Sequence, residues 1–135
     1  MNLNDIPIFA ALTRRMDWLA ARQRVLGQNI ANSDTPGYRP RDLKPLSFAD
    51  LVRQPKPTMG LARSRPAHLA GTADEAGRYR PREQRGTYES APEGNAVVLE
   101  EQVLKVTQTR MAYVMTTSLY RKHLDMLRTA LGSNR

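Results

Sequence analysis

Apolar residues recur at alternating intervals of three and four at both ends of this chain, and that spacing constrains its fold more than any other feature. From Pro7 the stripe runs through Phe9, Leu12, Met16 and Leu19 to Leu26 and Ile30, with Gln23 at its one polar position. Toward the C-terminus it runs through Leu99, Val103, Val106, Arg110, Tyr113, Thr117, Tyr120, Leu124, Leu127 and Leu131 without a slip. Such alternation keeps one side chain per turn on a single face, so each stripe predicts a long α-helix with a heptad seam. At 1.5 Å per residue the second helix is roughly 50 Å long. Asp5 or Asn4 is expected to cap the first helix, with Pro7 tolerated in its first turn. Asn95 is expected to cap the second, with Glu100 and Glu101 near its positive end, Arg121, Lys122 and Arg128 toward its negative end, and Gly132 as terminator.

Each helix also carries a second apolar track, about 180° from its seam. On the first helix Ala11, Trp18 and Val25 fall seven apart. On the second, Val97, Leu104 and Met111 occupy one back position, and Val98, Ala112, Leu119 and Met126 the next. Isolated surface apolar residues are ordinary, but a track containing Trp18, Leu104, Met111, Leu119 and Met126 is not isolated. A two-helix hairpin buries one track per helix and leaves the other wet. The expectation is therefore that Trp18, Val25, Val97, Leu104, Met111, Leu119 and Met126 face neighbouring copies, with helicity marginal in a dilute monomer; the alternative is that the middle segment folds over them.

The first helix runs into Asn32-Ser33-Asp34-Thr35 and breaks on Pro36-Gly37. Thr35 is pushed extended by the proline that follows it, and Asp34 and Thr35 bond readily to local backbone. Pro36-Gly37 fits the central positions of a type II turn, where glycine supplies the positive φ. Residues 40–94 hold seven of the nine prolines, five of the eight glycines and ten of the twenty-one basic residues. Large apolar side chains are sparse there and lack a sustained period. One helical turn is plausible at "SFADLV", capped by Ser47, and a short strand or two around Tyr79 and Tyr88; the rest reads as extended, loop or disordered backbone. The fold expected is thus mainly α: N- and C-terminal helices over residues 1–39 and 95–135, joined by an irregular arm over 40–94.

Net charge is +8, carried as five basic against three acidic residues over 1–39, ten against seven over 40–94, and six against three over 95–135. No segment is a basic tail, and the excess suits an acidic partner, an anionic surface, nucleic acid or plain solubility. With no cysteine, disulfides and thiolate metal sites are excluded. The N-terminus lacks a basic region ahead of an apolar one, so no cleavable signal is expected, and no run reaches the ~18 apolar residues of a membrane span. His68 and His123 stand apart from each other and from ligand-spaced carboxylates. Gly-rich phosphate loops, metalloprotease helices and serine-nucleophile signatures do not occur. Asp42 and Asp50, like Glu100 and Glu101, are accounted for by turns and helix-end electrostatics. No enzyme, cofactor or metal is expected.

"NIANSDTPGY" after a heptad helix, with "EGNAVVLEEQ" opening a second, resembles the bacterial flagellar rod and hook axial family, and within it the short proximal-rod members. Arg41-Asp42, His68-Leu69 and "TSLYRKHLDMLRTALG" add to the likeness, which covers nearly the whole chain and is specific in the turn and the two helices. It matches Asn29, Asn32, Asp34, Thr35, Pro36, Gly37 and Tyr38 to the family's turn, and Gly94, Asn95, Val97, Leu99 and Glu100 to its second helix start; Val98 stands where the family usually has an acidic residue. The resemblance implies a self-assembling structural protein whose terminal helices pair as an antiparallel coiled coil lining the inner tube of a helical assembly. It implies contacts with copies of itself, other rod proteins, the adaptor and membrane-embedded ring at the rod base, and the type III export apparatus. It also implies a periplasmic rod, reached without signal cleavage. Two rivals are a neighbouring rod paralogue and, from another class, a basic nucleic-acid-binding helical protein. Against the latter, arginines do not gather on one helix face or alternate with aromatic stacking platforms.

Overall fold

A computed structural model describes residues 3–47, 79–84 and 96–132 of the chain. Two helices dominate it: α1, Pro7–Ala31, and α2, Leu99–Ala130. A 3-10 turn, Leu3–Asp5, precedes α1. Ile6, not Asp5 or Asn4, occupies the N-cap position, with extended dihedrals of −87° and 119° and no side-chain cap. Pro7 explains this, because the residue ahead of a proline is driven out of the helical region. α2 starts at Leu99, so Asn95, which lies outside the described residues, is not its N-cap; Val98 takes that position without a side-chain cap. The Ala96 N–H donates to the Tyr38 carbonyl at 3.3 Å, which ties residues 96–98 to the turn and delays the helix. Val97 consequently precedes the helix and is half-buried, not a member of an outer helical face. At its far end α2 closes on Gly132, whose φ of +73° is the left-handed conformation that ends helices.

The helices are antiparallel. Asn29 meets Gln102 near the turn, the Thr117 hydroxyl reaches Met16 Sδ at 3.8 Å, and the Phe9 ring meets Tyr120 edge-on at 5.1 Å. On α1, Phe9, Leu19 and Leu26 are buried, Leu12, Met16 and Ile30 are half-buried, and Gln23 is exposed. The seam of α2 differs from the one expected. Its buried positions are Gln102, Thr109 and Thr116, seven apart, while Leu99, Val103, Arg110, Tyr113 and Leu131 are exposed. Val106, Thr117, Tyr120, Leu124 and Leu127 are half-buried. Half of the seam has shifted by one residue and half has stayed, so the buried face is turned by about 50° from the apolar stripe.

Two physical facts account for that rotation. The polar residues on the buried face bring their own partners: Thr109 donates to the Lys105 carbonyl at 2.7 Å and Thr116 to the Ala112 carbonyl at 2.8 Å. Burial therefore leaves neither hydroxyl unsatisfied. The second fact is a strap that covers one side of the hairpin and draws α2 toward it through Ala112 and Lys105.

This strap begins after the turn and runs back along α1. Strand β1, Arg41–Leu43, pairs antiparallel with β2, Pro81–Glu83, in the register Arg41↔Glu83, Asp42↔Arg82, Leu43↔Pro81. Leu43 is buried with Trp18, Leu19 and Val25, and Ala21, Leu46, Tyr79 and Ala112 pack around them. Trp18 and Val25, expected to face neighbouring copies, are thus covered by the chain's own middle segment, which is the alternative raised above. The expected strand near Tyr79 exists as β2; the helical turn of "SFADLV" beyond Ser47, Tyr88, Gly94 and His68 lie outside the described residues.

Candidate functional site

The bend that closes α1 is built from side chains bonding to nearby backbone. Asn32 donates through both its backbone N–H and its Nδ2 to the Gln28 carbonyl. Thr35 N–H donates to the Asn32 carbonyl, and its hydroxyl bonds the Asn32 side-chain oxygen at 3.3 Å. Tyr38 N–H then donates to the Thr35 carbonyl at 3.2 Å across Pro36 and Gly37, with Gly37 at a φ of +72°. A hydrogen bond from the fourth residue back to the first, with proline second and positive φ at the third, marks a type II turn. A Cβ on Gly37 would meet nothing within 4 Å, so backbone conformation, not crowding, selects glycine here. Asp34 is exposed.

Asn29 is the hub of this bend. It is fully buried, and its carboxamide fills all four of its hydrogen-bonding roles. Nδ2 donates to the Arg41 carbonyl at 2.7 Å and to Gln102 Oε1 at 2.9 Å; Oδ1 accepts from Arg41 N–H at 3.0 Å and from the Tyr38 hydroxyl at 3.2 Å. Paired with both backbone groups of Arg41, the side chain stands in for a neighbouring strand. One residue thereby joins the end of α1, the turn, the strap and the start of α2. Gln102 Nε2 meets no acceptor among the described residues.

A second set of contacts latches the strap to α1. Arg22 grips Asp42 with Nε on Oδ1 at 2.9 Å and Nη2 on Oδ2 at 2.7 Å. The Arg22 guanidinium also lies 5.4 Å from the Trp18 ring centroid, and the indole N–H donates to the Lys44 carbonyl at 3.0 Å. Tyr79 adds a bond from its hydroxyl to the Arg14 carbonyl. Asp42 is therefore a latch, not merely turn chemistry. Arg22 and Gln102 were not singled out from the sequence, because neither spacing nor composition reveals a partner 20 or 73 residues away. Asp42 reads from the sequence as turn chemistry and as part of the Arg41-Asp42 likeness, neither of which points to Arg22.

Outward from the hairpin, α2 presents Leu104, Met111, Met115, Leu119 and Met126, all exposed. Their spacing places them within an arc of about 80° that runs from the back of the helix toward the side of Ala112, spanning roughly 33 Å of helix. A contiguous apolar stripe of this length marks an interaction surface more often than scattered surface residues do. His123 is half-buried and packs edge-on to Phe9 with centroids 6.4 Å apart. Among the described residues no three potential metal-ligating side chains converge, and no helix is long and apolar enough to cross a membrane.

A helical hairpin with a rigidly held bend, a latched strap and a solvent-facing apolar stripe is the architecture of a structural packing module. The chain belongs to the flagellar basal body rod protein family. The family model described as "Flagella basal body rod protein" matches residues 11–39, which carry most of α1 and the whole turn. Over 130 residues the chain is 31% identical to "Flagellar basal body rod protein FlgB" of Agrobacterium fabrum (strain C58 / ATCC 33970), covering 95% of this chain and 96% of that relative.

Proposed function

We propose that this chain is a structural subunit of the proximal rod of the bacterial flagellar basal body, built into that rod by helix packing and passing torque outward from the membrane ring. In this reading it touches copies of itself and other rod proteins, with the adaptor protein and the membrane-embedded ring at the rod base. It reaches the periplasm through the flagellar type III export apparatus without signal cleavage, and it performs no catalysis. The observation that carries the reading is the outer stripe of α2, whose large apolar side chains have no cover within the chain among the described residues. Such a stripe and the differently built surface of the strap suit contacts between unlike faces, which generate open filaments. The antiparallel hairpin forms the inner wall, and Pro36-Gly37 sets the direction in which the chain leaves it.

Electron microscopy of rod proteins co-assembled with this chain tests the reading, with α2 expected to be covered by neighbouring subunits along Leu104 to Met126. An assembled rod in which that stripe faces only solvent would refute it. Binding to the ring adaptor distinguishes the proximal subunit from a neighbouring rod paralogue.

A further inference from the structure

We propose that Met111 and Met115 form an oxidation site on the unassembled subunit, and that conversion of their thioethers to sulfoxides blocks packing through the outer face of α2. This rests on the assembly reading above for its consequence, though not for its chemistry. The two residues stand four apart on α2 and are 68% and 67% exposed, the most open of the described methionines. Met126, on the same stripe, is 48% exposed. Met16 provides the internal contrast: it is half-buried at the helix interface, with its sulfur beside the Thr117 hydroxyl at 3.8 Å. The co-reactant is a peroxide. Its terminal oxygen transfers to Sδ as the O–O bond breaks and an S–O bond forms; sulfur loses two electrons and the peroxide is reduced to water or an alcohol.

Oxidation follows exposure, and it turns a flexible apolar side chain into a polar one. In the free subunit the new oxygens are hydrated, and because both side chains point away from α1 the hairpin is not disturbed. When a neighbour covers the stripe, those oxygens lose water without gaining a partner, which is unfavourable. Exposed methionine thus makes the assembly face sensitive to oxidant, while the seam is protected by burial. The modification is reversible by methionine sulfoxide reductases.

The test uses the full chain treated with hydrogen peroxide and digested with trypsin, where cleavage after Arg110 and Arg121 releases one peptide carrying both methionines. Fragmentation is expected to show Met111 and Met115 gaining one oxygen each several-fold faster than Met16. The doubly oxidised chain is expected to keep its far-ultraviolet circular dichroism and to co-assemble with rod proteins at least about tenfold more weakly, as uncompensated polar burial implies. Reductase treatment should restore co-assembly. The variant Met111→Leu/Met115→Leu should co-assemble normally and resist peroxide. Equal or faster oxidation of Met16, undiminished co-assembly of verified double sulfoxide, or unchanged peroxide sensitivity in the leucine variant overturns the proposal. Failure of untreated chain and leucine variant alike to use this face instead counts against the assembly reading, with the peptide ranking still deciding the modification site.

Discussion

Arg22 and Asp42, twenty residues apart, meet through two parallel hydrogen bonds at 2.9 and 2.7 Å, with only 21% and 14% of their side chains exposed. That fork holds the strap against α1 and keeps Leu43 over Trp18. Bidentate geometry with restricted solvent separates it from ordinary surface pairs, which contribute little. Asp42→Ala is expected to destabilise the chain by about 1.5–3 kcal/mol, the usual range for a hydrogen bond to a charged group. As the sole tryptophan, Trp18 reports the event: its emission should shift to the red as the strap lifts. A double-mutant cycle with Arg22→Ala showing no coupling would sink this account of the latch.

Asn29 and Gln102 form an unequal pair. Asn29→Ala removes four hydrogen bonds at a fully buried point and strands the groups of Arg41, Tyr38 and Gln102 that it served. A loss of about 3 kcal/mol or more in urea unfolding is expected, since several buried groups go unmatched. Gln102→Met removes one of those bonds and also removes an unpartnered Nε2. Its cost should stay below about 1.5 kcal/mol. Equal costs for the two variants would contradict the assignment of Asn29 as the hub.

Gly37 is needed for its backbone conformation alone. With open space around it, Gly37→Val meets no clash, yet it must hold a φ of +72°, which costs a side-chain-bearing residue roughly 1–2 kcal/mol. The alternative for the chain is to change the turn, which re-aims Tyr38 and the strap. Helix content should fall little, while rod assembly should suffer. Full motility of cells relying on the variant would show that the exit direction is unimportant.

The two faces of the hairpin should respond oppositely to substitution. Phe9→Ala empties a buried site beside Tyr120 and His123 and is expected to cost about 3–5 kcal/mol. Leu104→Glu and Met126→Glu change exposed positions and should leave monomer stability within about 0.5 kcal/mol. The same two substitutions are expected to abolish incorporation into the rod, measured by co-sedimentation with rod proteins. Normal incorporation of both would remove the outer stripe from the assembly reading.

Much of this architecture was legible in the spacing of residues. Two helices, their approximate limits, the break at Asn32 to Tyr38 and the positive φ at Gly37 all follow from local rules, in which each residue acts on backbone within a turn of itself. Gly132 is legible for the same reason. The start of α1 at Pro7 was legible too, but its cap was not, and α2 starts later than Asn95, because Pro7 and the Ala96 bond to Tyr38 overrode capping preference.

Which face of each helix is inside was a different matter. Periodicity located the apolar stripe of α2, but the buried face turned toward Gln102, Thr109 and Thr116, because threonine hydroxyls find carbonyls within their own helix and because the strap attracts that side. Trp18 and Val25 read as surface for neighbours, yet Leu43 and Leu46 come to lie against them. Local pattern determines whether backbone coils and where it must stop. The facing of those coils, and the pairing of Asn29, Arg22 and Trp18 with groups far along the chain, was settled by packing, since burial and hydrogen bonding act through space and leave no period in the sequence.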